Sequence, residues 1–171
     1  EVVEGIMDRH HPIEKGQILV ILVVGIVGLI GFAALAIDGG AIFSDRRNDQ
    51  NGADAAALAG GWAALQALES NEVLYEDFTC DTSSPIYSTK ILPAINNAVV
   101  AAKGRALSNG FSIDGDLTNN NGVDINCLPS QKQLQIHVII SSAPRTSLIQ
   151  LIYSGSVINT VEAITIVKPM T

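Results

Sequence analysis

The sequence has few of the residues from which nucleic-acid surfaces and most enzyme sites are built. Aromatic residues make up 5% of the 171 positions, and there are only two cysteines and three histidines. Beyond Ile37 the chain carries 13 acidic and 8 basic residues without a Lys/Arg cluster. Nucleic-acid phosphates and anionic lipid headgroups both require a basic patch. We therefore expect neither nucleic acid nor anionic headgroups as a partner.

Sequence signatures of catalysis are also missing. The chain contains no Gly-x-Ser-x-Gly, no Walker loop and no His-Glu-x-x-His. Gly25, Gly28 and Gly31 imitate part of a dinucleotide-binding loop by spacing only, because they lie inside an apolar run. We predict that the protein is not an enzyme and has no catalytic residue and no cofactor.

Two groups of side chains could bind a metal, but neither has an established ligand spacing. His10 and His11 are adjacent, and adjacent residues point to different faces of a helix. The loop Asp114–Asp124 offers oxygen ligands for Ca²⁺ but lacks the glycine and glutamate spacing of an EF-hand. His137 lies in the polar register of a strand, which predicts a surface position. We predict no metal site, with Ca²⁺ binding by the acidic loop left open.

An uncharged apolar run from Gln17 to Ile37 is the strongest signal in the sequence. About 20 apolar residues cross a hydrocarbon core of ~30 Å, so Ile18–Ile37 has the length of a membrane span. Signal-peptide cores are shorter, at about 7 to 15 residues, which favours a retained anchor.

Processing after Gly16 stays open, because Glu14–Gln17 looks like a prepilin-peptidase site. Ile21 would then occupy the fifth mature position, where most type IV pilins carry glutamate.

The helical pattern continues without proline from the apolar run to about Glu69. It predicts one helix of roughly 80 Å, or two nearly collinear helices hinged at Gly39–Gly40. Small residues recur along it, and we predict that they pack against other helices: Gly25, Gly28, Gly31, Ala53, Ala56, Gly60 and Ala63. A bulkier stripe contains Leu58, Trp62, Leu65 and Leu68. On this reading, leucine at Gly60 or Ala56 blocks assembly and leaves the outer domain folded.

Asp38 is the first charged residue after the apolar run. A carboxylate that faces lipid is costly. It therefore either marks the membrane boundary or pairs with a cation of a neighbouring subunit, Arg46 or Arg47. The boundary is the simpler interpretation, and we predict that Asp38 sets the depth of the helix.

The remainder of the chain predicts one small α+β domain. A helix follows Pro85 and ends at Asn109–Gly110, and Pro93 either kinks this helix or marks its start. Strands are predicted at Val123–Leu128, Leu134–Ile140 and about Val157–Val167, with a short helix beginning at Pro144 before the last strand. This order implies an antiparallel hairpin and a helical crossover, with the sheet packed on helices. The predicted divisions are a flank at 1–16, a transmembrane and extended helix at 17–69, and an extracytoplasmic domain at 70–171.

The two cysteines, Cys80 and Cys127, are most simply a disulfide of a non-cytosolic domain. Two unconnected buried thiols are the alternative. Basic residues flank the apolar run evenly, so the positive-inside rule does not decide the orientation. The cysteines favour a cytoplasmic N-terminus and a domain outside the cell membrane.

Several blocks of the predicted long helix resemble one protein family. The blocks are Gly16-Gln17, Ala36-Ile37-Asp38-Gly39-Gly40, Asp45-Arg46-Arg47, and the run from Gln50 to Gly60. Together with the apolar span, they resemble the N-terminal region of TadE-like and TadG-like proteins of the Tad (Flp) pilus-assembly system. The Asn-Gly-Phe sequence at 109–111 and the segment 147–167 resemble later parts of the same domain less specifically.

The resemblance implies a single-pass envelope protein that acts in the biogenesis of an extracellular pilus or in association with one. We predict a pilin-like structural or assembly protein whose helix packs with like or unlike subunits. The alternative is an accessory subunit of another membrane complex, which docks by its helix and caps the complex with its outer domain.

Overall fold

The computed structural model describes residues 15–144, 146, 148–149 and 155–170. Its helices and strands follow the predicted α+β class: a long apolar helix leads into a small domain with a three-stranded antiparallel sheet packed on helices. The elements are α1 (Lys15–Ser70), a π-helical turn (Tyr87–Ile91), α2 (Leu92–Ser108), β1 (Gly122–Leu128), β2 (Gln133–Ser142) and β3 (Asn159–Val167).

Helix α1 is continuous over 56 residues, which corresponds to about 84 Å. Gly39 and Gly40 lie within it as ordinary helical residues, so the hinged alternative is wrong. Its apolar N-terminal part has a mean hydropathy of 3.1 over 18 residues, and none of that window is buried. Phe32 there is 75% exposed. This part of α1 is long and apolar enough to cross a membrane.

The C-terminal part of α1 packs against α2 through alanine and glycine. On α2, every fourth residue is a fully buried alanine: Ala94, Ala98, Ala102 and Ala106. These alanines share one core with Ala53, Ala56, Ala57 and Ala64 of α1. Residues four apart lie on one face of a helix, and side chains no larger than a methyl group let two helices approach closely. The core of the domain is therefore built partly from the long helix itself.

The sheet covers the other side of this core. Its order is β1-β2-β3, and both pairs of neighbouring strands are antiparallel. The alternation predicted for β2 is confirmed, because Leu134, Ile136, Val138 and Ile140 are fully buried. Antiparallel pairing of β3 with β2 contradicts the predicted helical crossover, which is needed only between parallel strands. The predicted short helix from Pro144 to Ile152 lies largely outside the described residues.

The ends of α2 follow from its proline and glycine. Pro93 stands in the first turn of α2, directly after the π-helical turn, so it marks the point at which the helical segment that begins at Pro85 becomes a regular α-helix. At the other end, Asn109 is the C-cap and Gly110 has a φ of +89°. The Phe111 N–H donates to the carbonyl of Ala106 at 2.9 Å. This left-handed turn sends Phe111 back towards α1.

The predicted disulfide is confirmed. Cys80 and Cys127 are bonded, with their Cα atoms 5.7 Å apart. The bond connects the loop after α1 to the end of β1. Lys132 reinforces the same end of the domain, because its ammonium donates to the carbonyls of Tyr75 and Glu76.

Candidate functional site

One face of α1 carries the contacts between the long helix and the rest of the chain. We call it the docking face. It begins at Asp38 and continues along the resembling blocks, and its members are Asp38, Asp49, Gly52, Ala53, Ala56, Gly60 and Ala64. Asp38 and Asp49 are 11 residues apart, which is close to three helical turns and about 16 Å along the axis. Both side chains are only 2% exposed.

The glycines of the docking face lie where another side chain comes close to the helix backbone. A Cβ at Gly52 would overlap the ring of Phe111, the residue that the C-terminal turn of α2 directs towards α1. At Gly60 a Cβ would lie 3.1 Å from the carbonyl oxygen of Ala98 and 3.1 Å from a methyl group of Ile136. These glycines therefore allow α2 and the sheet to pack directly on α1.

Polar side chains fix the sheet on the same face. The hydroxyl of Ser142, at the end of β2, donates to the carboxylate of Asp49 at 2.6 Å. The amide nitrogen of Gln50 donates to the backbone carbonyl of Glu162 in β3 at 3.1 Å and to the carboxylate of Asp54 at 2.9 Å. The bonds to Ser142 and Glu162 connect α1 to β2 and β3.

Asp38 makes the contact nearest to the apolar span. Its Oδ2 atom accepts hydrogen bonds from the backbone N–H groups of Leu148, at 2.9 Å, and Ile149. Backbone N–H groups of the same chain therefore bind the carboxylate that the sequence placed at the membrane boundary or paired with a cation of a neighbouring subunit. The position of Asp38 relative to a membrane remains a prediction.

An apolar groove lies directly beside this contact. Its volume is about 280 Å³. One wall is α1 and the other is the segment that Asp38 holds. It is lined by Gly28, Gly31, Phe32, Ala34, Leu35, Asp38, Leu148 and Ile149.

The predicted helix-packing residues fall into two groups. Ala53 and Ala56 are fully buried and Gly60 is enclosed by α2 and the sheet, while Ala63 is partly buried beside them. These residues pack within the chain, so, against the expectation from the sequence, we expect leucine at Gly60 or Ala56 to disturb the domain itself. A Cβ at Gly25, Gly28 or Gly31 meets nothing within 4 Å. Packing of these three glycines against another helix remains a prediction.

The acidic loops lie at the surface and are held by local hydrogen bonds. The hydroxyl of Ser83, followed by its backbone N–H, lowers the pKa of Asp81 below its usual value. The backbone N–H and hydroxyl of Thr118 likewise lower the pKa of Asp116. In the described part of the chain, no group of three or more His, Cys, Asp and Glu side chains is arranged to hold a metal. His137 lies on the outer face of the sheet, where Nε2 is 3.1 Å from the carboxylate of Glu162.

Comparison with known families gives one match. Residues 16–64 match the model of the Flp pilus-assembly TadE/G-like family, Tad. The match confirms the resemblance seen in the sequence. It begins at the start of α1, covers the apolar span and ends inside the domain core. No curated protein and no solved structure matches the chain.

Four residues of the matched segment make contacts that sequence reasoning missed. Asp38, Asp49, Gln50 and Gly52 all lie in the matched segment, and each contacts a residue outside it. The spacing of Asp38 and Asp49 places both carboxylates on the face that carries the small residues, and this signal was present in the sequence. It could have indicated that they bind the chain's own domain.

Proposed function

We propose that the protein is a non-enzymatic, membrane-anchored component of a Tad (Flp) pilus system, and that it acts structurally in the filament or in its assembly. The observation that carries the proposal is that the Tad match coincides with one unbroken helix, which is apolar and exposed at one end and part of the domain core at the other. A helix of this kind can hold a domain at a fixed height above a membrane.

The proposed topology has the N-terminus in the cytoplasm and the domain on the extracytoplasmic side. It is supported by the disulfide between Cys80 and Cys127, because disulfides persist in oxidising compartments and are rare in the cytosol. The even distribution of basic residues around the span gives no competing signal.

We infer that like or unlike subunits contact the exposed part of α1. Its large apolar side chains from Ile18 to Ile37 are exposed. In lipid, apolar helices associate through close packing of small residues, which Gly25, outside the groove beside Asp38, allows.

The proposal is tested by deleting the gene in a strain that makes Tad pili and examining sheared material by negative-stain microscopy. An assembly or structural role predicts loss of filaments, restored by the wild-type gene. Immunogold labelling of a C-terminal tag then distinguishes a filament subunit, which labels filaments, from an assembly factor, which stays in the membrane fraction. Normal filaments after deletion, with the protein in an unrelated membrane complex, would overturn the proposal in favour of an accessory subunit.

A further inference from the structure

The segment held by Asp38 lies beside the part of α1 that is apolar enough to be in a membrane. Asp38 directly follows Ile37, the last residue of the apolar run. The groove between α1 and Leu148–Ile149 reaches from Asp38 to Gly28, ten residues earlier. Ten helical residues span about 15 Å, which is half of a ~30 Å hydrocarbon core.

We propose that Leu148 and Ile149 are a second membrane contact of this protein, inserted among the lipid acyl chains of the domain-side leaflet and held there by Asp38. This inference rests on the proposed membrane span. The lipid is the expected occupant of the groove because one wall of the groove is the span itself, whose other apolar side chains are exposed.

The hydrogen bonds of Asp38 satisfy two of the N–H groups that irregular backbone brings to this depth. Without water, each unsatisfied N–H group costs several kcal/mol, so non-helical segments enter the hydrocarbon region only where their polar groups have protein partners. The N–H groups of Leu148 and Ile149 both donate to the carboxylate of Asp38. Pro144, which is buried nearby in the chain, has no N–H group to satisfy.

The same contact explains how a carboxylate can stand at the end of a membrane span. A carboxylate exposed to lipid is costly, and the cost falls when the group is enclosed and accepts several N–H bonds. Asp38 is 2% exposed and therefore does not face lipid. At this depth, the carboxylate of Asp38 and the N–H groups of residues 148 and 149 therefore each require the other as a hydrogen-bond partner.

Tryptophan fluorescence in vesicles tests the contact. The full chain, carrying Trp62→Phe to remove its single tryptophan, receives one new tryptophan at Ile149, or at Leu35 as a reference inside the span. The wild-type Trp62, 62% exposed on the domain, is the reference outside the membrane. The vesicles are phosphatidylcholine with bromine atoms on the acyl chains, which quench tryptophan only on contact.

We expect quenching of the tryptophan at 149 to match that at 35 and to exceed that of Trp62 several-fold. Quenching at 35 but not at 149 would overturn the second contact and leave the membrane span intact. Absence of quenching at 35 would overturn the span itself and, with it, the proposed function. Loss of quenching at 149 together with cross-linking of 149 to a second copy would assign the groove to a neighbouring subunit and also overturn the inference.

The role of Asp38 is tested in the same vesicles. Asp38→Ala removes the acceptor of two charge-assisted bonds and should lower the ratio of inserted to detached segment by about tenfold or more, seen as reduced quenching at 149. Asp49→Ala is the matched control, because Asp49 is equally buried on the same face but binds Ser142 of the sheet. A cooperative thermal unfolding transition in both variants reports that the domain still folds. Unchanged quenching at 149 in Asp38→Ala would show that Asp38 does not hold the segment.

Discussion

The close approach of α2 and the sheet to Gly60 gives a prediction that can be worked out from distances. A Cβ at this position meets the carbonyl oxygen of Ala98 and a methyl group of Ile136 at 3.1 Å, and the methyl of Ala102 at 3.3 Å. These neighbours come from a helix backbone, a strand and a second helix position, so no single side chain can move away to relieve the contact.

Two opposing terms set the magnitude for Gly60→Ala. Alanine is better than glycine in a helix by about 0.8–1.0 kcal/mol. Adding a methyl group to a well-packed core costs typically about 1–3 kcal/mol. We therefore expect the free energy of unfolding to fall by roughly 0–2 kcal/mol.

Gly104→Ala is the matched control. Gly104 also lies inside a helix, α2, but a Cβ there meets nothing within 4 Å. Only the propensity term applies, so Gly104→Ala should stabilise the domain by up to about 1 kcal/mol. The two variants should then differ by about 1–3 kcal/mol, and each kcal/mol shifts the melting temperature of a domain of this size by about 4–8 °C.

The assay is thermal and denaturant unfolding of the full chain in detergent micelles, followed by the fluorescence of Trp62. Far-ultraviolet dichroism is less suitable, because the apolar part of α1 contributes helix signal without belonging to the domain core. Equal stabilisation by Gly60→Ala and Gly104→Ala would refute the close packing of α1 on α2. It would also restore the interpretation that Gly60 is free to meet another subunit.

Three further predictions concern the domain. Reduction of the disulfide should lower the free energy of unfolding by about 2–4 kcal/mol in the chain-entropy model, seen as a lower melting temperature in dithiothreitol, and an unchanged melting temperature would contradict it. Ser142→Ala should cost about 1–3 kcal/mol in the same unfolding assay, because it removes a hydrogen bond from the buried carboxylate of Asp49. Ser83→Ala is the control: its partner Asp81 is exposed, so the loss of stability at neutral pH should be much smaller than in Ser142→Ala. The same Ser83→Ala change should raise the pKa of Asp81 towards its ordinary value, measured by NMR titration. Because the pKa of Asp81 is lowered in the folded protein, its contribution to stability is present above the unfolded pKa and is lost as the pH falls through the folded pKa. If the pKa of Asp81 does not change in Ser83→Ala, the serine is not its hydrogen-bond partner.

Local patterns predicted the elements of this fold well. The apolar run and the absence of proline predicted α1, strict alternation predicted β2, and Asn109–Gly110 predicted the end of α2. The disulfide followed from there being only two cysteines in a small domain. Each of these signals lies within a short stretch of sequence or in the composition.

The partners of the docking face could not be predicted in the same way. A stripe of small residues allows close approach of any helix, so the sequence does not distinguish α2 of the same chain from a helix of another subunit. Asp38 and Leu148 are 110 residues apart, and no local pattern connects them. Sequence reasoning located the important face of α1 and assigned part of it to the wrong partner.

The account depends most directly on α1 being one rigid helix from the apolar span to the domain core. Spin labels on cysteines introduced at Leu35 and Leu58, both exposed and on either side of Gly39–Gly40, measure this in lipid nanodiscs by electron–electron double resonance. The native cysteines are in the disulfide and do not react. At 1.5 Å per residue, an unbroken helix predicts a single narrow distance distribution near about 35 Å. A broad distribution, or a main distance much shorter than that, would place a hinge at the glycine pair and contradict the account.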